Sequence, residues 1–264
     1  MSLAVYDKIG KKYDQTRKAD PEISAKIINF LSPKESGYYL DVGCGSGNYT
    51  EAIFERGFNI CGVDISEEML AKAMKKNSQI KWILGDAKSL PFSNNQVDGA
   101  ICILATHHIK DIQKFFQEIF RVLKTGPFVI FTQFPVQMKA CWLNRYFPFM
   151  MEKAASLMHN ENQIFESLTQ AGFEDICTEK FFVSNQLQDL FLQAGKYRPQ
   201  IYLDPAVRAG ISSFALEENQ EEIMYGCGKL QHDISSDTIK EIIHSHENDL
   251  GDYMFVYAKK TNLK

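Results

Sequence analysis

A strand that runs directly into a glycine-rich turn is the feature of this sequence that most constrains its fold. Residues 38–48 read YYLDVGCGSGN, so apolar strand character ends in Gly43, Gly45 and Gly47. Glycines let backbone N–H groups approach a bound molecule and adopt conformations that a Cβ atom disfavours, and a following helix adds its positive amino-terminal end. The pattern predicts a ligand-binding loop, with a simple tight turn as the alternative.

A second apolar segment places a carboxylate beside this loop. Residues 58–63 lead to Asp64, 23 residues after Asp41. In a doubly wound sheet, a carboxylate at this place binds ribose hydroxyls. The glycine spacing is G-x-G-x-G, with Asn48 where a dinucleotide-binding loop has its third glycine, and no P-loop lysine follows. The loop is therefore suited to a nucleoside ligand without phosphates.

Further segments extend the pattern along the first half of the chain. They read LDVGCGSG at 40–47, GVDISEEML at 62–70, GDAKSLPF at 85–92, and LKTGP at 123–127 followed by Phe131. Their order and spacing resemble the class I S-adenosylmethionine-dependent methyltransferases, specifically the small-molecule group that includes the ubiquinone and menaquinone biosynthesis methyltransferases. The resemblance implies S-adenosylmethionine as the cofactor and methyl transfer as the activity. It covers the first half of the chain and only the ends of the second half.

The resemblance also implies which residues contact the cofactor. The floor beneath its methionine part would be formed by Gly43, Gly45 and Gly47, and Cys44 in the same loop is a further expected cofactor contact. Asp41 would help to organise the methionyl amine. Asp64 would accept hydrogen bonds from both ribose hydroxyls, because a carboxylate has two acceptor oxygens.

Two pairs of residues are expected on the adenine side. Ile65 and Met69 would enclose the ring, although Met69 at helical spacing equally predicts a core side chain. Asp86 and the backbone of Ala87 would read the amino edge of the adenine, with a solvated turn aspartate as the alternative. Tyr13, in a helix expected to fold over the cofactor, would lie at its methionine end or simply pack.

The fourth strand is expected to end beside the methyl donor, where residues 104–109 read LATHHI. Leu104 is a predicted cofactor contact. His107 and His108 are candidate catalytic residues, because histidine can act as a general base near neutral pH. His108 matches the resembling family better, and packing or helix capping is the alternative for each. We predict no metal site, since adjacent side chains should point apart.

Alternating strand and helix patterns predict an α/β fold with a parallel sheet covered on both faces. Asp20, Ser66 and Asp111 are expected to begin helices. The stripe expected to be buried after Ser66 comprises Met69, Leu70, Ala73 and Met74. The resemblance implies a Rossmann-like, seven-stranded, mostly parallel sheet with an antiparallel terminal hairpin at 173–183 and 253–259.

Two insertions are expected to form a helical lid on a single methyltransferase domain, residues 1–264. They span 136–160 and 186–251, and the longer one should contain its own helices because structureless loops of that length are rare in compact domains. The first is rich in aromatic and methionine side chains, which suit an apolar pocket, a packed core, or a surface that rests on a membrane or lipid-like substrate.

Composition narrows the function further. A formal net charge of −4 gives no general attraction for nucleic acid, and six scattered cysteines favour reduced core thiols. No segment approaches the ~20 apolar residues of a membrane span, so we expect a cytoplasmic location without stable membrane insertion. We predict in-line methyl transfer to a small molecule of apolar or aromatic character. A non-catalytic S-adenosylmethionine-binding protein and, less favoured because of Asn48, a nicotinamide-dependent oxidoreductase are the alternatives.

Overall fold

A computed structural model of the protein describes residues 13–215 and 220–261, without the side chain of Tyr13. The described chain divides into two compact units. The sheet unit comprises residues 19–132, residues 159–179 and the segment from 254 onward. The helical unit comprises the segment up to 18 and residues 133–158 and 180–253.

The strands of the described chain form one sheet. They are Tyr38–Val42 (β1), Asn59–Asp64 (β2), Trp82–Leu84 (β3), Gly99–Ile103 (β4), Gly126–Thr132 (β5), Glu174–Phe181 (β6) and Tyr253–Lys260 (β7). Their order is β3-β2-β1-β4-β5-β7-β6. Strands β1 to β5 pair in parallel, and β7 runs antiparallel to β5. The predicted seven-stranded, mostly parallel sheet with an antiparallel end is confirmed.

The strand order reverses between β1 and β4, which is where ligands of doubly wound sheets bind at the carboxyl ends of the strands. The α-helices of the described chain are Tyr13–Thr16 (α1), Pro21–Leu31 (α2), Asn48–Phe54 (α3), Glu67–Lys76 (α4), Ile112–Val122 (α5), Pro135–Lys139 (α6), Pro148–Ser156 (α7), Glu161–Ala171 (α8), Pro205–Ala209 (α9), Gln220–Ser235 (α10) and Thr238–Ser245 (α11).

Three helices begin directly after the side chains that the sequence predicts as N-caps. Asp20 accepts hydrogen bonds from the backbone N–H groups of the first turn of α2. Ser66 and Asp111 accept one each at the starts of α4 and α5. These bonds satisfy donors that have no partner inside the helix. The predicted starts of all three helices are confirmed.

The core of the sheet unit lies where α5 covers the sheet. Phe115 and Phe116 are fully buried, and their ring centroids lie 5.9 and 5.7 Å from that of Phe128 on β5. Along α4, Met69 is buried as predicted, but the expectation for Met74 is wrong because its side chain is 47% exposed. Met74 falls one position beyond the buried stripe, and each helical residue turns by about 100°.

The helical unit has its own apolar core, and most aromatic side chains of residues 136–160 belong to it. Trp142, Tyr146 and Phe147 are at most 2% exposed and pack with residues of α10 and the segment before it. Of the alternatives for these side chains, the structure shows the packed core. Phe149 is the exception at 72% exposure. Residues 186–251 contain α9, α10 and α11, as their length predicted.

A buried hydrogen bond inside this core gives a stability prediction. The hydroxyl of Tyr146 donates to Oδ2 of buried Asp233 at 2.8 Å. We expect Tyr146→Phe to lower the free energy of unfolding by about 1–3 kcal/mol, since a buried oxygen loses its donor. Urea denaturation checks this, with Tyr225→Phe, at a 76% exposed position, as the control that should change nothing. An equal loss in both variants contradicts the prediction.

The cysteines are free thiols, and Cys61, Cys102 and Cys141 are buried. Cys177 departs from the expected core position because it lies on β6, whose side chains are mostly exposed. Among the described residues, we find no helix with the length and apolar character needed to cross a bilayer.

Candidate functional site

The glycine loop connects β1 to α3. Gly43, Gly45 and Gly47 have φ angles of +73°, +55° and +80°, a region that favours glycine. The backbone N–H groups of Gly43 and Cys44 donate to the carbonyl oxygen of Val63 at 2.8 and 3.1 Å, so the end of β2 holds the first half of the loop. Gly47 is the N-cap of α3 and has no side chain of its own to cap the helix.

Asp64 ends β2 and fixes the middle of the loop. Its Oδ2 accepts a hydrogen bond from the N–H of Gly45 at 2.8 Å, and its Oδ1 accepts one from the N–H of Ser66 at 2.9 Å. Burial raises the pKa of Asp64, and these backbone bonds oppose the shift. Each carboxylate oxygen can accept a further hydrogen bond. The carboxylate that is predicted to bind the ribose is thus in direct contact with the glycine loop.

Asp41 lies within β1 beneath the loop and is 2% exposed. Its Oδ2 accepts a hydrogen bond from the Thr50 hydroxyl at 2.6 Å, while Oδ1 is buried without a hydrogen-bond partner among the described residues. Burial raises the pKa of Asp41 to about 7. A buried acceptor without a donor fits an ammonium group, which would supply both a donor and a compensating charge. Sequence patterns gave no reason to single out Thr50, whose role comes from the position of α3 against β1.

The burial of Asp41 predicts a pH dependence of stability. The pKa of Asp41 is raised from 3.8 to about 7. The contribution of this carboxyl group to the stability of the folded protein is therefore complete below pH 3.8 and is lost as the pH rises through 7. Relative to Asp41→Asn, the wild-type free energy of unfolding should fall by up to about 1.4 kcal/mol per pH unit between these values. Urea denaturation of both proteins at about pH 4.5, 5.5 and 6.5 measures the difference. Parallel pH profiles contradict the raised pKa.

The end of β4 lies against the glycine loop. A Cβ atom at Gly43 would be 2.6 Å from Cβ of Ala105, so these two backbones approach as closely as glycine permits. Leu104 has a φ of +52°, which is uncommon for a residue with a side chain and turns the chain out of the strand. The hydroxyls of Thr106 and Thr132, both buried, are 3.0 Å apart and join the ends of β4 and β5.

His107 and His108 lie in the 3₁₀ turn Thr106–His108 that follows β4. The expectation that their side chains point apart is wrong, because the two ring centroids are 3.8 Å apart in a tilted contact. A 3₁₀ turn after a left-handed residue orients successive side chains differently from an extended strand. Burial lowers the pKa of His108 to about 4, so this imidazole is neutral at physiological pH.

The predicted adenine contacts divide between core and surface. Met69 is 1% exposed, and its Cε would be 3.4 Å from a Cβ at Gly45, so it supports the loop from the core. Ile65 is 54% exposed next to Asp64. Asp86 is held in its turn by the N–H of Lys88 at 2.9 Å.

Ala87 and Tyr13 are the remaining predicted contacts on the adenine and methionine sides. Ala87 lies in the same turn as Asp86 and is half-buried. Tyr13 belongs to α1 in the helical unit, and its side chain lies outside the described residues. Its contact with the cofactor stays a prediction.

The sheet and its glycine loop define a Rossmann-like domain that binds a nucleoside-type cofactor. A family model described as "Methyltransferase domain" matches residues 40–131. A candidate methyltransferase from an antibiotic biosynthesis pathway of Anabaena variabilis ATCC 29413 is similar over 94% of this chain and 100% of its own, with 34% identity and a TM-score of 0.84. The chain belongs to the S-adenosylmethionine-dependent methyltransferases, and its cofactor is S-adenosylmethionine.

Two further relatives support this assignment. The demethylmenaquinone methyltransferase of Staphylococcus aureus (strain JH9) is 29% identical over 72% of this chain and 83% of its own length. The malonyl-[acyl-carrier protein] O-methyltransferase of Hamiltonella defensa is 24% identical over 49% of this chain. The chain spans about half the length of several curated relatives that it matches. The resemblance to the menaquinone group seen in the sequence is confirmed.

Proposed function

We propose that this protein transfers the methyl group of S-adenosylmethionine to a small organic acceptor at the carboxyl ends of β1, β2 and β4. The observation that carries the proposal is the close approach of Gly43 and Ala105. A Cβ atom added at Gly43 would lie 2.6 Å from the Cβ atom of Ala105. This approach puts the turn that carries His107 and His108 next to the loop expected beneath the methionine part of the cofactor.

Cofactor binding is assigned to residues of the sheet unit. Asp64 would bind the ribose with the oxygen lone pairs that Gly45 and Ser66 leave available. Asp41 would hold the methionyl ammonium, which supplies the donor that Oδ1 does not find among the described residues. The remaining expected contacts are the loop glycines, Cys44, Leu104 and, around the adenine, Ile65, Asp86 and Ala87. Met69 is assigned to support of the loop.

Bound S-adenosylmethionine supplies an electrophilic methyl group on a positively charged sulfur. The contribution of the chain is to align donor and acceptor in line and to exclude water, which can supply much of the acceleration. His108 is neutral, so it can accept a hydrogen bond or a proton from the attacking group of the acceptor. A base with a pKa of about 4 has little driving force for full deprotonation, which favours an orienting role.

We propose an uncharged acceptor of apolar or aromatic character. Residues 104–109 include no aspartate, glutamate, lysine or arginine, and the lowered pKa of His108 keeps its imidazole neutral. These side chains offer no ion pair to a cationic or anionic acceptor, whose burial against them would be costly. The S. aureus relative acts, by its name, on demethylmenaquinone, and the A. variabilis relative is ascribed to antibiotic biosynthesis, which agrees with a small organic substrate.

Methyl-labelled S-adenosylmethionine tests the proposal. The protein is incubated with the labelled cofactor and fractionated metabolite extracts, and labelled products are found by mass spectrometry. At a cofactor concentration near the wild-type dissociation constant, we expect a labelled small molecule with wild-type protein and much less of it with Asp64→Ala, which serves as the matched control. Saturable S-adenosylmethionine binding without any labelled product would contradict the proposed enzyme function and favour a protein that only binds the cofactor.

A further inference from the structure

We propose that Trp82 is a positioning residue for the glycine loop, whose indole sets how the loop presents its backbone to the cofactor. Trp82 begins β3 and lies outside the motifs that resemble the family. The inference rests on the cofactor position proposed above. It concerns the sheet unit alone, because every residue in the argument belongs to that unit.

Two glycines lie against the six-membered ring of the indole. A Cβ atom at Gly47 would be 2.3 Å from Cη2 of Trp82, and one at Gly62 would be 2.6 Å from Cζ3. Gly62 lies inside β2 and pairs with Trp82 in the β2–β3 register. Its φ lies outside the positive range that favours glycine. The lack of a side chain at Gly62 is therefore explained by the space that the indole and the Cys44 thiol occupy.

The indole is fixed in this place by a hydrogen bond. Its Nε1–H donates to the carbonyl oxygen of Asn77 at 2.8 Å, just beyond the end of α4. Lys76, the last residue of α4, donates to Oγ of Ser46 at 3.1 Å and to Oδ1 of Asn48 at 2.5 Å. The second half of the loop is thus held by hydrogen bonds from the end of α4 and by contact with the first residue of β3.

The two halves of the loop are consequently supported by different residues. Asp64 and Val63 hold residues 43–45 by hydrogen bonds, whereas Trp82 supports Gly47 by contact alone. Removing the indole leaves a space next to Gly47 into which the loop and the start of α3 can relax. Ordering a relaxed loop again when the cofactor binds costs free energy and therefore lowers the affinity.

Substitutions of graded size should give graded losses of affinity. We expect Trp82→Ala to weaken S-adenosylmethionine binding about tenfold or more. Trp82→Phe should weaken it less, because a phenyl ring still fills part of the space next to Gly47, although it is shorter than an indole and lacks the N–H. The KM for S-adenosylmethionine should rise while kcat at saturating cofactor changes little. That split distinguishes loop positioning from a general loss of folded protein.

Calorimetry on the full chain measures the affinities. The matched control is Phe173→Ala, because Phe173 is 3% exposed in the same unit and packs on Phe120 and Phe128, away from the loop. It should lower thermal stability without changing S-adenosylmethionine affinity. An equal loss of affinity in Phe173→Ala and Trp82→Ala would overturn the proposal.

Fluorine NMR gives a readout that is independent of activity. The chain has two tryptophans, Trp82 and Trp142, so 5-fluorotryptophan labelling should give two resonances, and the one missing from Trp82→Phe belongs to Trp82. We expect this resonance to shift as S-adenosylmethionine saturates the wild-type protein.

A folded Trp82→Ala protein with wild-type affinity overturns the proposal. If Trp82→Ala does not fold, unchanged affinity in Trp82→Phe together with an unmoved Trp82 resonance overturns it. Failure of the wild-type protein to bind S-adenosylmethionine at all would instead refute the proposed function on which the inference rests.

Discussion

Asp64→Ala is expected to weaken S-adenosylmethionine binding by about tenfold to a hundredfold, because a hydrogen bond to a charged group contributes roughly 1.5–3 kcal/mol. The structure favours a loss of affinity at the upper end of this range, close to a hundredfold. The carboxylate that would bind the ribose also accepts hydrogen bonds from Gly45 and Ser66, so its removal frees the loop as well. Calorimetry with purified protein measures the loss, and NADH should not compete for the site.

Two variants control this measurement. Asp64→Asn keeps one acceptor oxygen and should lose less affinity than Asp64→Ala. Asp86→Ala removes a carboxylate whose side chain is 42% exposed, and it should lose less still, because water replaces exposed contacts at low cost. Unchanged affinity in a folded Asp64→Ala protein would show that the end of β2 does not bind the ribose.

His108→Ala is expected to lower kcat by about a hundredfold while leaving S-adenosylmethionine affinity within about twofold. The expectation lies at the low end of what general acid–base residues contribute, because the pKa of His108 is lowered to about 4 by burial. His108→Gln retains a hydrogen-bond acceptor and should recover part of the loss if the role is to orient the acceptor. Full turnover by folded His108→Ala would refute the choice of this residue, and the same substitution at His107 tests its neighbour.

The pH profile separates orientation from base catalysis with an ordinary histidine. An imidazole whose folded pKa is about 4 stays neutral down to that pH. The ratio of wild-type to His108→Gln kcat/KM should therefore stay constant from about pH 8 to about pH 5. A decline of this ratio centred near the ordinary histidine pKa of about 6.5 would contradict the lowered pKa of His108.

Local patterns predicted much of the sheet unit correctly because the responsible interactions act over a few residues. The caps at Asp20, Ser66 and Asp111 bond to backbone groups within the next three positions. The glycine loop needs positive φ angles that its own residues supply. Asp64 is the last residue of a buried strand and therefore lies at the carboxyl ends of the parallel strands.

Predictions that depended on partners distant in the chain were less successful. Met74 is exposed because the orientation of α4 on the sheet, and not the helical period alone, selects the buried stripe. The wrong expectation for the rings of His107 and His108 has a local cause instead, since the chain turns at Leu104 with a positive φ that no sequence pattern predicted. The position of residues 136–160 and 186–251 as a lid stays a prediction.

The sequence by itself determined the class of fold, the glycine loop and the carboxylate that serves it, since strand periodicity, turn chemistry and helix caps are encoded by neighbouring residues. Only the tertiary structure decided how the site is tuned. Burial beneath α3 raises the pKa of Asp41, and burial after β4 lowers that of His108, because desolvation depends on what packs around a group. The support of Gly47 by Trp82 likewise joins residues 35 positions apart, which no local pattern can specify.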